Sequence, residues 1–227
     1  MSDHDSIFSP ARWEPATRDD GRRVPGVWVK RLLHAPGGDS FTVLRFERNA
    51  EHELAGSPDG RILVLEGDIA IPDRAGVTIR HHAGAYCAVP DDGGGVSSPS
   101  GCLVLLVTGA RLGAPGDGVF DPGGWLESGP GQWFRLLSDD VTFDERVVGL
   151  SYFEPGSFSP RHSHRTAHRV LFLDGEADDE IVFPDGTRRT ARRAGGDFVD
   201  YPYPIEHQCF SRTGCTILFV HEPLDPA

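Results

Sequence analysis

Four histidines stand out by type and spacing: His162, His164 and His168 in one stretch, and His207 well downstream. Neutral imidazole is the commonest protein ligand for transition metals. Residues 162, 164 and 168 share parity, and alternate residues of a strand face the same side. On one unbroken strand all three would point toward a single ion. His207 lies in a second, similarly punctuated stretch. A lone histidine is usually an ordinary surface or core residue. Three of matched parity with a fourth in a matched stretch outweigh that reading, so one divalent transition metal held by His162, His164, His168 and His207 is expected.

Four neutral imidazoles would leave the +2 charge of the ion uncompensated. Such a site is a stronger Lewis acid than three histidines and a glutamate, and it favours an anionic ligand such as an enolate, carboxylate or peroxide. Nitrogen donors suit Fe(II), Zn, Ni or Cu, with Mn less favoured by ligand softness; Fe(II) is the preferred assignment. An octahedral ion with four protein ligands keeps two open positions, which a bidentate substrate, or substrate plus dioxygen, requires. If His168 stays unbound, three open positions result. Closed structural zinc sites are usually rich in cysteine, and Cys87, Cys102, Cys209 and Cys215 form no CxxC pair. Cys209, two residues after His207, faces the same side on a regular strand. It reads either as a small buried residue or as a redox-sensitive neighbour of the site. No general acid or base stands out. Tyr152, Tyr201 and Phe172 read either as pocket lining or as aromatic core.

The elements that must position these side chains are strands. The first stretch runs from Gly156 through the three histidines to Gly175, and the second from Gly196 through Pro202 and Pro204 to His207. Short apolar runs bounded by Gly, Pro, Asp and Asn recur throughout, which is strand chemistry. They also recur in the same order in both halves of the chain. Ile62-Leu-Val-Leu-Glu-Gly67 answers Val170-Leu-Phe-Leu-Asp-Gly175, Gly84 to Pro90 answers Gly196 to Pro202, and Gly101-Cys-Leu-Val answers Gly214-Cys-Thr-Ile. Two tandem copies of one strand-rich unit follow, joined by a Gly/Pro-rich bridge with DPGG at 121–124.

Both stretches resemble the cupin family. Gly156, His162, His164 and Gly175 match its first motif, G-x5-H-x-H-x3-4-E-x6-G. Gly196, Pro202 and His207 match the second, G-x5-P-x-G-x2-H-x3-N. Three positions depart from the pattern: His168 stands for Glu, Pro204 for Gly and Ser211 for Asn. The His-for-Glu exchange keeps a ligand-capable residue. The stretch from Ser211 to Val220 is similar to the terminal strand of ChrR-like cupins, which include the C-terminal domain of ChrR-type anti-sigma factors and dioxygenases that cleave acetylacetone and hydroxyacetophenone. The resemblance implies an all-β fold of two tandem cupin barrels (double-stranded β-helix, jelly roll). Its expected segments are an N-terminal extension over 1–26, a degenerate metal-free cupin over 27–111, a linker over 112–131 and a metal-binding cupin over 132–227.

Aligning the copies on Gly67 and Gly175 sets Leu54, Gly56 and Gly60 opposite His162, His164 and His168; aligning Pro90 with Pro202 sets Gly95 opposite His207. Every ligand position of the first copy is therefore Leu or Gly. A second site from His34, His81 and His82 is disfavoured, because adjacent strand residues face opposite sides.

The chain has 227 residues, 38% hydrophobic, and a formal net charge of −12. That length supports one large or two small cores. The acidic balance argues against nucleic acid or an anionic membrane as partner. The basic run Arg188, Arg189, Arg192 and Arg193 follows the turn signal Pro184-Asp185-Gly186 and reads as a solvated hairpin. No apolar run approaches the roughly 20 residues that span a bilayer. No secretion signal is apparent, so a cytoplasmic protein with reduced thiols is expected. A homodimer is the family expectation. The function expected is that of a mononuclear metal-dependent cupin oxygenase acting on a small enolisable ketone or similar oxygen-chelating molecule. The alternatives are a non-catalytic zinc-binding sensor module and a metal-dependent isomerase or lyase. Sigma-factor binding is a minor option, because the first cupin unit begins near Val27.

Overall fold

A computed structural model describes residues 6–10, 12–34, 40–54, 60–73, 75–89, 94–108, 116, 118–121, 123–138, 147–164, 166–201 and 203–222. Among them every regular element is a β-strand. The chain divides into two compact units, Ser9–Asp121 and Pro122–Ala227, the latter joined by Met1–Phe8.

The first unit contains β1 (Glu14–Thr17), β2 (Arg23–His34), β3 (Ser40–Phe46), β4 (Ala50–Glu53), β5 (Arg61–Pro72), β6 (Thr78–His82), β7 (Tyr86–Ala88), β8 (Gly95–Ser98) and β9 (Cys102–Thr108). They pair antiparallel in the order β1-β2-β3-β9-β5-β8-β4, with β6 and β7 also on β5. The segment expected as an extension thus carries β1 and the start of β2. The second unit contains β10 (Leu126–Gly129), β11 (Gln132–Leu136), β12 (Val147–Phe153), β13 (Phe158–Ser163), β14 (Ala167–Val182), β15 (Arg188–Ala194), β16 (Phe198–Tyr201) and β17 (Glu206–Glu222). Its order is β10-β11-β12-β17-β14-β15, with β13 on β17 and β16 on β14.

Strand alternation explains each core. In the first unit Leu44, Phe46, Ile62, Val64 and Val104 point inward together. In the second, Val170, Phe172, Ala177, Ile181 and Cys215 do so. The internal repeat is visible in the register. Ala50 pairs with Ser98 in the first unit, and Phe158 with Phe210, its counterpart pair, in the second. Leu54, the counterpart of His162, is part of the apolar core. Gly60 is buried and Gly95 exposed, while Gly56, Pro90 and Pro202 lie outside the described residues. His81 and His82 are neighbours on β6, half-buried and exposed, and the side chain of His34 lies outside the described set.

One backbone device recurs in both copies. Gly67 pairs with Cys102 at φ +73°, and Gly175 with Cys215 at φ +70°. A Cβ on either would overlap the carbonyl oxygen of Gly101 or Gly214 respectively. Only glycine combines this left-handed conformation with so close a backbone approach. Gly175→Ala is therefore expected to cost about 2 kcal/mol or more, read as a lowered urea midpoint. An unchanged midpoint would show that the crossing relaxes freely.

The turn at 184–186 closes β14 onto β15 as expected, with the Thr187 N–H donating to Asp185 Oδ1 at 2.8 Å. The expectation of a wholly solvated basic hairpin needs one correction. Arg193 turns inward, and its Nε donates to Asp179 Oδ2 at 3.2 Å. Antiparallel pairing alternates the faces of β15, so Arg192 stays outside with Glu176 while Arg193 goes in.

Candidate metal centre

The stretch carrying the first three histidines is not one unbroken strand. β13 ends at Ser163 and β14 begins at Ala167, so His164 sits in the break and His168 belongs to the next strand. Shared parity is therefore not what brings them together; cross-strand register is. His162 pairs with His207 across β13 and β17. Directly opposed residues of an antiparallel pair project side by side on one face. The His162 and His207 ring centroids lie 4.5 Å apart, and those of His162 and His164 4.7 Å. His164 stacks on His168 at 4.0 Å. All four expected histidines thus form one cluster.

A fifth joins them. His221 pairs with His168 across β14 and β17, and its ring lies 4.6 Å from that of His168 and 4.5 Å from that of His164. Aligning Gly101 with Gly214 sets Thr108 opposite His221, so one more histidine in place of a non-ligand in the repeat was the available signal. Sequence reasoning missed it because it lies outside both motifs.

Several nitrogens are already aimed. His162 Nδ1 lies 2.7 Å from the carbonyl oxygen of Pro160. A carbonyl only accepts, so Nδ1 carries the proton and Nε2 keeps the lone pair. His164 Nε2 and His207 Nε2 face each other at 3.1 Å. Metal–nitrogen bonds of about 2.0–2.1 Å separate neighbouring ligand nitrogens by roughly 3–3.4 Å. The donor atoms of His162, His164 and His207 lie within 4.8 Å of one another, and so do those of His164, His168 and His221. Buried His168 Nδ1 and His207 Nδ1 have no hydrogen-bond partner. The donor set therefore fits a divalent transition ion.

Behind His207 lies a buried polar network. Asp179 is fully buried; its Oδ2 accepts from the Tyr201 hydroxyl at 2.9 Å and from Arg193 Nε at 3.2 Å. Its Oδ1, without a hydrogen-bond partner, lies 3.8 Å from His207 Nδ1. A carboxylate so placed favours a proton on Nδ1 and leaves Nε2 to bind metal. The repeat sharpens this reading. The counterparts of Asp179 and Tyr201 in the first unit are Ile71 and Val89, both in the apolar core. At these two positions the first unit is apolar, whereas the unit with the histidine cluster is polar. Tyr201 also stacks on His168, centroids 5.2 Å apart. Burial and the neighbouring Asp179 push its phenol well above its ordinary pKa, so it stays a neutral donor.

Burial and mutual repulsion keep the imidazoles of His162, His164, His168 and His221 neutral. His164 is held down to about 2 and His221 to about 4, with desolvation the larger cause for each. His162 and His168 are lowered for the same first reason. An unfolded imidazole titrates near 6.5. Below that pH the unfolded chain takes up protons that the folded chain refuses, so stability falls with pH toward the folded values. Metal-free protein is expected to lose thermal stability steadily from pH 6.5 downward, and His221→Ala should flatten the slope above pH 4. A melting temperature independent of pH between 7 and 5 would contradict this.

The four thiols are buried. Cys209 and Cys215 are buried in the core of the second unit. Its hydrogen bond with Cys215 and burial push the Cys209 thiol up, which disfavours a reactive thiolate. Burial likewise pushes Cys102 up to about 11.

Residues 120–225 match the profile of the ChrR cupin-like domain family. That match spans just under half of the chain, and the fold is that of cupin barrels. Among solved structures, this chain is similar to a cupin 2 conserved barrel domain protein from Leptotrichia buccalis. They share 14% identity with a TM-score of 0.62, covering 88% of this chain and 91% of that one. It is also similar to the oxalate decarboxylase of Bacillus subtilis, studied for its Mn(II) centres, at 14% identity and a TM-score of 0.63, covering 100% of this chain and 79% of that one. These likenesses concern the fold. No curated protein matches the sequence. Among the described residues no helix is long and apolar enough to cross a membrane.

Proposed function

We propose that the second barrel is a mononuclear metal-dependent oxygenase for a small enolisable ketone or similar oxygen-chelating molecule. One observation carries this reading: the cluster gathers imidazoles without a carboxylate among them. The carboxylate of Asp179, 3.8 Å from His207 Nδ1, is held by Arg193 and Tyr201 behind His207. His162, His164 and His207 would hold the ion, with His168 beside them. When bound, the ion supplies an uncompensated positive charge that favours an enolate, and, if it is Fe(II), access to dioxygen chemistry. The chain supplies the rest. Pro160 and Asp179 orient the imidazoles of His162 and His207, and burial keeps those of His162, His164 and His168 unprotonated. Half-buried His162 and His164 form the more open side, from which substrate enters.

Two other readings have support. The donor set supports both: imidazoles also suit zinc in a binding module, and an uncompensated divalent charge would serve an isomerase or lyase as a Lewis acid. Metal content of protein purified without chelating resin comes first, followed by oxygen uptake with diketones and aryl ketones. Redox metal with ketone-dependent oxygen uptake is the expected result. Turnover that persists without oxygen would replace it with the Lewis-acid reading. Zinc-loaded protein that turns nothing over, even after exchange to Fe(II), would replace it with the binding module.

A further inference from the structure

The five histidines make two overlapping triads, and the geometry points to two alternative cation positions in one barrel. The outer is formed by His162, His164 and His207, and the inner by His164, His168 and His221. This rests on the reading of the cluster as a metal centre. The inner position is fixed by backbone register as well as by side-chain rotamer. His168 and His221 are directly opposed on β14 and β17, which sets their side chains on one face. The break between β13 and β14 hangs His164 over both pairs, with ring centroids 4.7 Å from His162, 4.0 Å from His168 and 4.5 Å from His221. In each triad the donor atoms fall within 4.8 Å of one another.

The positions differ in setting. The inner one includes buried His168, backed by the stacked ring of Tyr201 and, beside His221, by Phe219 at 5.2 Å. The outer one includes half-buried His162 on β13 together with His207, which is as buried as His168. His164 contributes to both, so the positions exclude each other and the chain holds one ion at a time. An ion released by His162 or His207 has a second three-nitrogen seat without leaving the barrel. The inner seat is a retention site, and the outer one is open on the side of His162.

The pattern of loss on substitution tests this. Zn(II) affinity and stoichiometry are measured by competition with a chromophoric chelator on the metal-free full chain, each variant checked for native circular dichroism. Co(II) absorption provides an independent view of the ligand field. Wild type should bind one equivalent. His207→Ala should still bind one, with reduced affinity and an altered Co(II) spectrum. Adding His221→Ala to His207→Ala should abolish binding, whereas His221→Ala alone keeps one equivalent at the outer seat. His162→Ala, alone and with His168→Ala, repeats the comparison should a His207 variant fail to fold. Loss of all binding in folded His207→Ala and His162→Ala would overturn the inner seat while leaving the outer centre standing. Unchanged binding on adding His221→Ala to His207→Ala would also overturn it. A wild-type protein that binds no Zn(II) or Co(II) would overturn both readings.

Discussion

Replacement of His164 by alanine is expected to empty the barrel of metal, from one ion per chain to none, and to end any metal-dependent turnover. His164 is the member common to both triads. Its Nε2 faces that of His207 at 3.1 Å, and its ring stacks on His168. Without it, each seat retains two imidazoles, too few for a three-ligand site. The fold should survive. His164 lies in the break between β13 and β14 and takes no part in their ladders. Removing a half-buried imidazole whose pKa burial depresses to about 2 also relieves the apo protein of an acid-labile group. Plasma mass spectrometry for metal and circular dichroism for fold, on the same sample, check both halves. A folded His164→Ala protein that binds metal as wild type does would remove the basis for the centre.

Asp179→Ala should have the largest effect on stability. The carboxylate is fully buried and takes two hydrogen bonds on Oδ2, from Tyr201 and Arg193. Removing it leaves the Arg193 charge with little solvent and no counter-ion in this network, a class of change that costs about 3–5 kcal/mol. Asp179→Ala combined with Arg193→Met should recover a substantial part of that loss, because the stranded charge goes with its partner. The milder Asp179→Asn separates structure from metal. It preserves volume but withdraws the anion facing His207 Nδ1, and metal affinity should fall about 10–100-fold. Tyr201→Phe, which removes only the hydroxyl bond to Oδ2, should weaken stability more than affinity. Nitrogen NMR of His207 should report the loss of the Nδ1-protonated tautomer in Asp179→Asn. If Asp179→Asn binds metal as wild type does and keeps that tautomer, Asp179 serves the fold alone.

The sequence by itself determined the fold class, the internal repeat and the identity of four histidines of the cluster. Each rests on local, periodic information. Gly67 and Gly175 mark the same tight crossing in both copies, apolar runs punctuated by turn residues mark strands, and Leu54 and Gly60 opposite histidines mark where one copy lacks the ligand residues. Cross-strand register is not local, and only the tertiary structure decided it. It sets His207 against His162 and His221 against His168, so the cluster gathers five imidazoles. It also breaks the strand at His164, which the parity of 162, 164 and 168 cannot reveal. Arg193, read in sequence as one of four solvated cations, and Asp179, with no motif around it, became a buried pair because β14 and β15 turn those residues inward. A charge run or a lone aspartate looks alike in sequence whether solvated or buried. The difference is the face of the sheet on which each residue lands, and that face is set by pairing with strands distant in the chain.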